Sequence, residues 1–410
     1  MKMRTWLMMI AFCLMGTEGL WAEDWWSFRG PNGTSAVKGV AIPAVFNEQQ
    51  GIAWKIEMPG KGPSSPIVVG NQVIVTCSGG DKQDVLYIVS VDAASGQELW
   101  RQQFAATGNC NCHPLSANAA PTPVSDGRHI YAFFSSNDLV CLDLQGNLVW
   151  YRGLAFDFPK ARNDAGMSSS PVVVGDSVIV QIECQGKSFA AGLNSATGET
   201  RWMIDRPQDA SWASPVILAG QGERPDYVLL QSKGKLSVLQ PSDGREVYSV
   251  AGQCGLISSA SVVGSRVYAP MDGTTAYEVD PHGQLSVVWN SPRLRAATAS
   301  LVVSDDQILS IERTGVLSGF DLERGERKWQ ERILDADAAQ GGFWATPLLV
   351  GNQYYFFGQS GQARVVEVSD SGAKVVHAYD FGETLLGSPA VSGDAMYVRG
   401  DQHLWKIANP

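Results

Sequence analysis

From Ser168 to Trp202 the chain alternates short apolar runs with small polar turns, and the runs have strand length rather than helix length. SSPVVV is a β-branched run, Gly175-Asp176 a tight turn, SVIVQIE a second run, SFAAGL a third, and TRWMI a fourth entered through Ser195 to Gly198. This predicts one four-stranded antiparallel sheet. Gly198 can adopt positive φ without a Cβ clash, and Trp202 offers a large flat ring to whatever packs beside it. A lone sheet with two apolar faces has to stack on copies of itself.

The copies are countable. Pro171, the Gly four residues on and the apolar residue seven on recur from Pro66, Pro123, Pro347 and Pro389. Degraded versions start at Pro215, which carries an insertion from Gly220 to Pro225, and at Ala260 and Leu301. Eight units result, at intervals of 41 to 57 residues. The ring position before the next unit is filled by Trp100, Trp150, Trp202, Tyr248, Trp289 and Trp329, with Val376 as the weakest substitute. The eighth unit stops at Pro410 after its third strand, whereas Ile52 to Ile56 precedes the first unit and carries Trp54. Placing that segment as the missing fourth strand closes the ring and removes the open edge of a linear array. The expectation is an all-β, eight-bladed β-propeller of four-stranded antiparallel blades, closed by an N-terminal strand and spanning residues 52–410.

The remaining segments follow. Residues 1–22 read as an export signal, with Lys2 and Arg4, an apolar stretch from Trp6 to Met15, and Ala22 before the acidic Glu23. Residues 23–51 lack the repeat and are expected to form an arm lying over the ring, pinned by Trp25, Trp26 and Phe28. No other apolar run has the length of a membrane span, and a monomer in the periplasm or secreted is expected. Charged residues make up only 18% of the chain, and the net charge of −10 repels phosphate backbones, so nucleic acid is not expected as a partner.

Candidate chemistry concentrates at one end of the ring, where the innermost strands begin. The longest interval contains Ala105 to Asn118, whose Cys110-Asn111-Cys112-His113 resembles a soft-metal site. A disulfide from Cys110 or Cys112 to another loop is the preferred expectation there, and no metal is assigned. Buried, inert thiols are expected at Cys77, Cys141 and Cys184. Small hydroxyls dominate the residues before each inner strand, interrupted by Trp212 and Phe343-Trp344, which form a candidate stacking surface. Asn118, Asn163, Asp164, Glu183, Arg206, Arg295, Glu312 and Arg313 are the polar candidates near the same mouth, able to hold a cation or an anionic group. No nucleophile-base spacing or nucleotide loop stands out, and no residue is assigned as catalytic.

SSPVVVGDSVIV with LNSATGETRW, and VSVDAASGQELW, resemble the pyrroloquinoline-quinone (PQQ) type propeller repeat with its tryptophan-docking turn. WWSFRGPNG, IAWKIEMPGKGPSSPIVV and SWASPV resemble exported PQQ-like propellers that are binding-like, related in repeat to the barrel-assembly lipoprotein of bacterial outer membranes. The resemblance implies an exported, non-catalytic scaffold that binds a protein or a glycan through its mouth loops, with no cofactor. The alternative is a divergent sugar or alcohol dehydrogenase using PQQ and calcium. Enzymes of that kind hold the quinone between a Trp and a disulfide of adjacent cysteines, with calcium on a carboxylate and an Asn. Here no Cys-Cys step exists, and Trp212 or Trp344 and Glu183 are the residues that resemble the floor and the calcium carboxylate.

Overall fold

The computed structural model describes residues 24–334 and 341–410, so the export-signal reading of residues 1–22 lies outside the described residues. Eight sheets stand around one axis, and in seven of them the blade strands run from inner to outer in sequence order. Blade 1, for example, comprises Ile67–Val69, Gln72–Gly79, Val85–Asp92 and Glu98–Ala105. Blade 8 comprises Ala390–Ser392, Ala395–Arg399 and His403–Ala408, and its outer strand is Ile52–Glu57. That strand pairs antiparallel with the third, Ile56 opposite Leu404 and Trp54 opposite Lys406. The ring therefore closes as its sequence predicts. Among the described residues one helical turn, Leu154–Asp157, interrupts an otherwise all-β architecture.

The alternation of apolar residues on both faces of every middle strand places the core between blades. The second strand of blade 3, Ser177–Ile182, is buried along its whole length, while outer strands such as Thr200–Asp205 are mostly exposed. Neighbouring blades are locked by an indole set on a glycine. Trp202 of blade 3 lies over Gly244 of blade 4, and its Nε1 donates to Pro241 O at 2.8 Å. A Cβ at Gly244 would stand 2.5 Å from the ring, and the residue has φ of +70°, so glycine is required twice over. The same contact joins Trp54 to Gly96, Trp100 to Gly146, Trp150 to Gly198 and Trp289 to Gly325. Between blades 4 and 5 the contact passes to Val247 and Tyr227, which meet Gly283.

In blade 7 the ring position is His377, not Val376. Each outer strand carries a β-bulge just before its ring residue: Glu98 and Trp100 face Val91 and Ser90, leaving Leu99 unpaired. In blade 7 the same slip sets Val375 opposite Val366 and His377 opposite Val365, so Val376 is the extra residue and turns outward. The His377 ring meets Phe46 of the arm edge-on at 5.0 Å, and its Nε2 lies 2.7 Å from Phe46 O.

The arm closes one end of the channel. Trp25 bridges Val68 of blade 1, Ser125 N of blade 2 donates to Trp26 O, Arg29 reaches blade 5, and Ala36–Val37 adds a parallel strand to Leu348–Val350 of blade 7. Lys38 then pairs with Asp305 of blade 6 at 2.8 Å. Its contacts at Gly70, Asp305, Gly351 and Asp394 all fall on turns that follow inner strands. The arm thus covers the end opposite the candidate mouth. Among the described residues no helix is long and apolar enough to cross a membrane.

Candidate functional site: a blind well at the propeller mouth

The open end of the channel is a cavity of ≈ 570 Å³ whose wall includes Phe28 of the arm. Its waist is a belt of eight hydroxyls, Ser65, Thr122, Ser170, Ser214, Ser259, Ser300, Thr346 and Ser388, one from each blade. Each is the residue directly before the start of an inner strand's repeat. Backbone N–H groups donate from one member to the next: Ser65 to Thr122 Oγ1, Thr122 to Ser170 Oγ, and so on to Thr346 and Ser388 Oγ, at 2.8 to 3.4 Å. A side chain that accepts a hydrogen bond from its neighbour's backbone satisfies a group that converging inner strands would otherwise strand. Because seven of the eight hydroxyl oxygens, all but that of Ser65, accept in such a link, their own O–H groups remain donors that can turn to the lumen.

Above the belt stand two indoles, Trp212 before blade 4 and Trp344 before blade 7. The Trp212 Nε1 donates to Gly166 O at 2.7 Å, and the Trp344 Nε1 donates to Gln359 Oε1 at 2.9 Å. Both rings are therefore fixed at their polar edge, and both contribute to the cavity wall. Leu115, Ile257, Leu386 and Met167 add apolar wall, and His113 and Arg313 are the ionisable residues lining it.

The sequence-predicted residues do not all converge on the well. Trp212, Trp344 and Arg313 line the well. Asn118 and Phe343 are buried behind it: Asn118 Nδ2 donates to Gln83 O and its Oδ1 accepts from Ser136 N, while Phe343 packs 6.0 Å from Phe356 beneath Trp344. Asn163 accepts from Ala165 N within the turn that presents Gly166 to Trp212, and Asp164 is exposed beside it. Arg295 is exposed, its Nε donating to Pro292 O, and Glu312 is exposed in a hairpin turn; neither lines the well.

Glu183 and Arg206 form a sealed pair between blades 3 and 4. Arg206 Nε donates to Glu183 Oε1 at 2.9 Å, Gln181 Nε2 donates to the same oxygen, and Ser232 Oγ donates to it as well. Both side chains are almost fully buried. Burial pushes the Glu183 carboxyl above the ordinary range despite the opposing pull of Arg206. Its partners face it from inside the barrel wall, so its charge is spent on structure rather than on the lumen.

The loop from Ala105 to Asn118 is held at its base by Asp138, which accepts from Thr107 N, Ser136 Oγ at 2.6 Å and Tyr151 OH at 2.7 Å. At its C-terminal end Gln83 Oε1 accepts from Asn118 N, and also from Ser78 Oγ. The expected disulfide is not formed: all six cysteines of the described residues are free. Cys110 Sγ accepts from Asn118 Nδ2 at 3.4 Å, Cys112 lies against Gly166 and near Gln83, and the other four are buried in or beside strands. Burial pushes the Cys110 thiol up to about 11. The described residues contain no group of three or more His, Cys, Asp or Glu side chains placed to hold a metal.

Two residue sets escaped sequence reasoning. Apart from Ser65 and Ser259, the belt lies one to four positions closer to each inner strand than the mouth residues singled out, and its signal was available: that position is Ser or Thr in all eight units. Gln83 sits in a turn of blade 1 with φ of +56°, and no local pattern marks it.

Residues 20–221 and 86–331 match the PQQ-repeat family model described as outer membrane protein assembly factor BamB. The chain belongs to this family. No curated protein matches it. Among solved structures, BamB from Moraxella catarrhalis is similar at 17% identity and a TM-score of 0.62, over 87% of this chain and 96% of that one. Quinohemoprotein alcohol dehydrogenase from Comamonas testosteroni is similar at 11% identity and a TM-score of 0.68, over 94% and 80% of the two chains. A europium-containing methanol dehydrogenase is similar at 12% identity and a TM-score of 0.64, over 94% and 98%. These likenesses show the shared propeller; the chemistry has to come from the well itself.

Proposed function

We propose that this BamB-family chain is an exported, non-catalytic propeller that binds a partner through its mouth, taking a neutral flat group into the well. That group is a sugar ring of a glycan or an aromatic side chain of a partner protein. The observation that carries the reading is the lining: two anchored indoles over a belt of hydroxyls, in a cavity of ligand size. Indole faces stack on flat rings, and hydroxyl donors orient the polar rim of whatever enters.

A quinone dehydrogenase is the less supported reading, because the residues that would hold the cofactor do not converge. Glu183, nearest in kind to a calcium carboxylate, is engaged by Arg206, Ser232 and Gln181 within the barrel wall. Cys110 and Cys112 are separated by Asn111, and neither lines the well. This donor set does not fit calcium and a quinone, and no catalytic step is derived through them.

The test uses glycan and peptide arrays on the mature protein, followed by titration of any hit against Trp212→Ala and Trp344→Ala. Loss of stacking predicts about tenfold weaker binding for each variant. Binding indifferent to both substitutions, or dye reduction by the wild type supplied with PQQ and calcium, would overturn the reading.

A further inference from the structure

The WWSFRGPNG stretch places a cation at the closed end of the channel. Arg29 is 2% exposed and sits at φ of +66° in a knot where Ser35 N donates back to Arg29 O and Gly30 packs on the Trp25 ring. Its guanidinium donates to Ala260 O at 2.6 Å and Ser261 Oγ at 3.0 Å, both neutral. Among the described residues no carboxylate lies within ion-pair distance of it, and its Nε is buried without a hydrogen-bond partner. Burial pushes its ionisation down to about 9, which still leaves it charged at neutral pH. A buried charge without a counter-charge is costly.

Arg29 also walls a small cavity of ≈ 40 Å³, together with residues 30–33, Ser170 and Ser214. A site of that size has room for a few water-sized particles, and so for an ion of halide size. Phe28 and the two belt serines line both this cavity and the large well, so the Phe28 ring and belt stand between the cation and any group entering from the mouth. We propose that this floor cavity binds one small monovalent inorganic anion of halide size beside the Arg29 guanidinium, as the counter-ion that lets the arm seal the channel. The Ser170 and Ser214 hydroxyls supply neutral O–H donors at the same cavity wall, in keeping with an anionic guest.

The full mature chain is melted at fixed ionic strength in sodium gluconate with increasing sodium chloride. Linkage predicts a melting temperature that climbs by about 2 °C for each tenfold rise in chloride above its dissociation constant. Arg29→Met should abolish the climb. Because that variant can fail to fold, wild-type crystals grown in sodium bromide and measured at the bromine edge provide the second arm, with an anomalous peak expected beside the Arg29 Nε. Melts that respond no more to chloride than to gluconate, or a water in place of the anomalous peak, overturn the proposal. A peak at molar bromide without a chloride response in solution is binding at crystal concentration only, and overturns it equally.

Discussion

Replacing Arg206 with Met is expected to destabilise the propeller by about 3–5 kcal/mol at neutral pH, because it leaves the Glu183 carboxylate buried without its cation. The geometry makes this a severe loss: Glu183 is fully buried, and its Oε2 already lacks a partner. Removing Arg206 takes away an influence that holds the carboxyl down, so its folded-state pKa rises further above the unfolded value. Between those two values the folded chain holds a proton that the unfolded chain has lost. Stability of the variant therefore increases as pH falls through that window, and the gap to wild type narrows. Replacing both residues, Arg206→Met with Glu183→Leu, should recover most of the loss. Denaturant midpoints of the three proteins at pH 7 and pH 5 check this; a single variant within 1 kcal/mol of wild type at pH 7 would mean that the pair is not sealed.

The second large effect is at Trp202. Its indole is 7% exposed, covers Gly244 of the next blade and donates to Pro241 O. Trp202→Ala removes that contact and opens a void between two sheets, at an expected cost of about 3–5 kcal/mol. Trp54→Ala should cost less, about 2 kcal/mol, because Trp54 is only partly buried although it makes the same kind of contact with Gly96. Midpoints from chemical denaturation rank the two. Equal losses, or a smaller loss at Trp202, would contradict the view that burial of the docking indole sets the strength of each blade joint.

These effects follow from features of unequal visibility in the sequence. The repeat was legible because a propeller imposes one spacing on every blade, and the orphan Ile52–Glu57 strand could be assigned because the eighth unit lacked a fourth strand. The position of the seventh ring residue was not, since a bulge shifts the register by one and spacing alone cannot distinguish Val376 from His377. Glu183 and Arg206 were placed at the mouth by their position near strand ends, but which way a strand-end side chain turns depends on its neighbour, and here the blade 4 strand Tyr227–Ser232 offers Ser232 and draws both inward. The arm illustrates the same limit. Its lack of repeat marked it as an addition over the ring, yet the descent of Arg29 to Ala260 and Ser261 joins residues more than two hundred positions apart. The mouth indoles were visible because large rings are out of place among the small residues of converging strands, whereas the hydroxyl belt was half hidden by its own regularity.

All of this depends on the N-terminal segment sealing both the ring and one end of its channel, leaving a single way in past Trp212 and Trp344. Amide hydrogen exchange on the intact protein measures that directly. Ile52–Glu57 and the amides of Trp25 and Val68 are expected to exchange slowly and together with His403–Ala408, since they share their hydrogen bonds with blades 8 and 1. Rapid, independent exchange across residues 24–57, with blade 8 still protected, would show an open ring and a channel accessible from both ends.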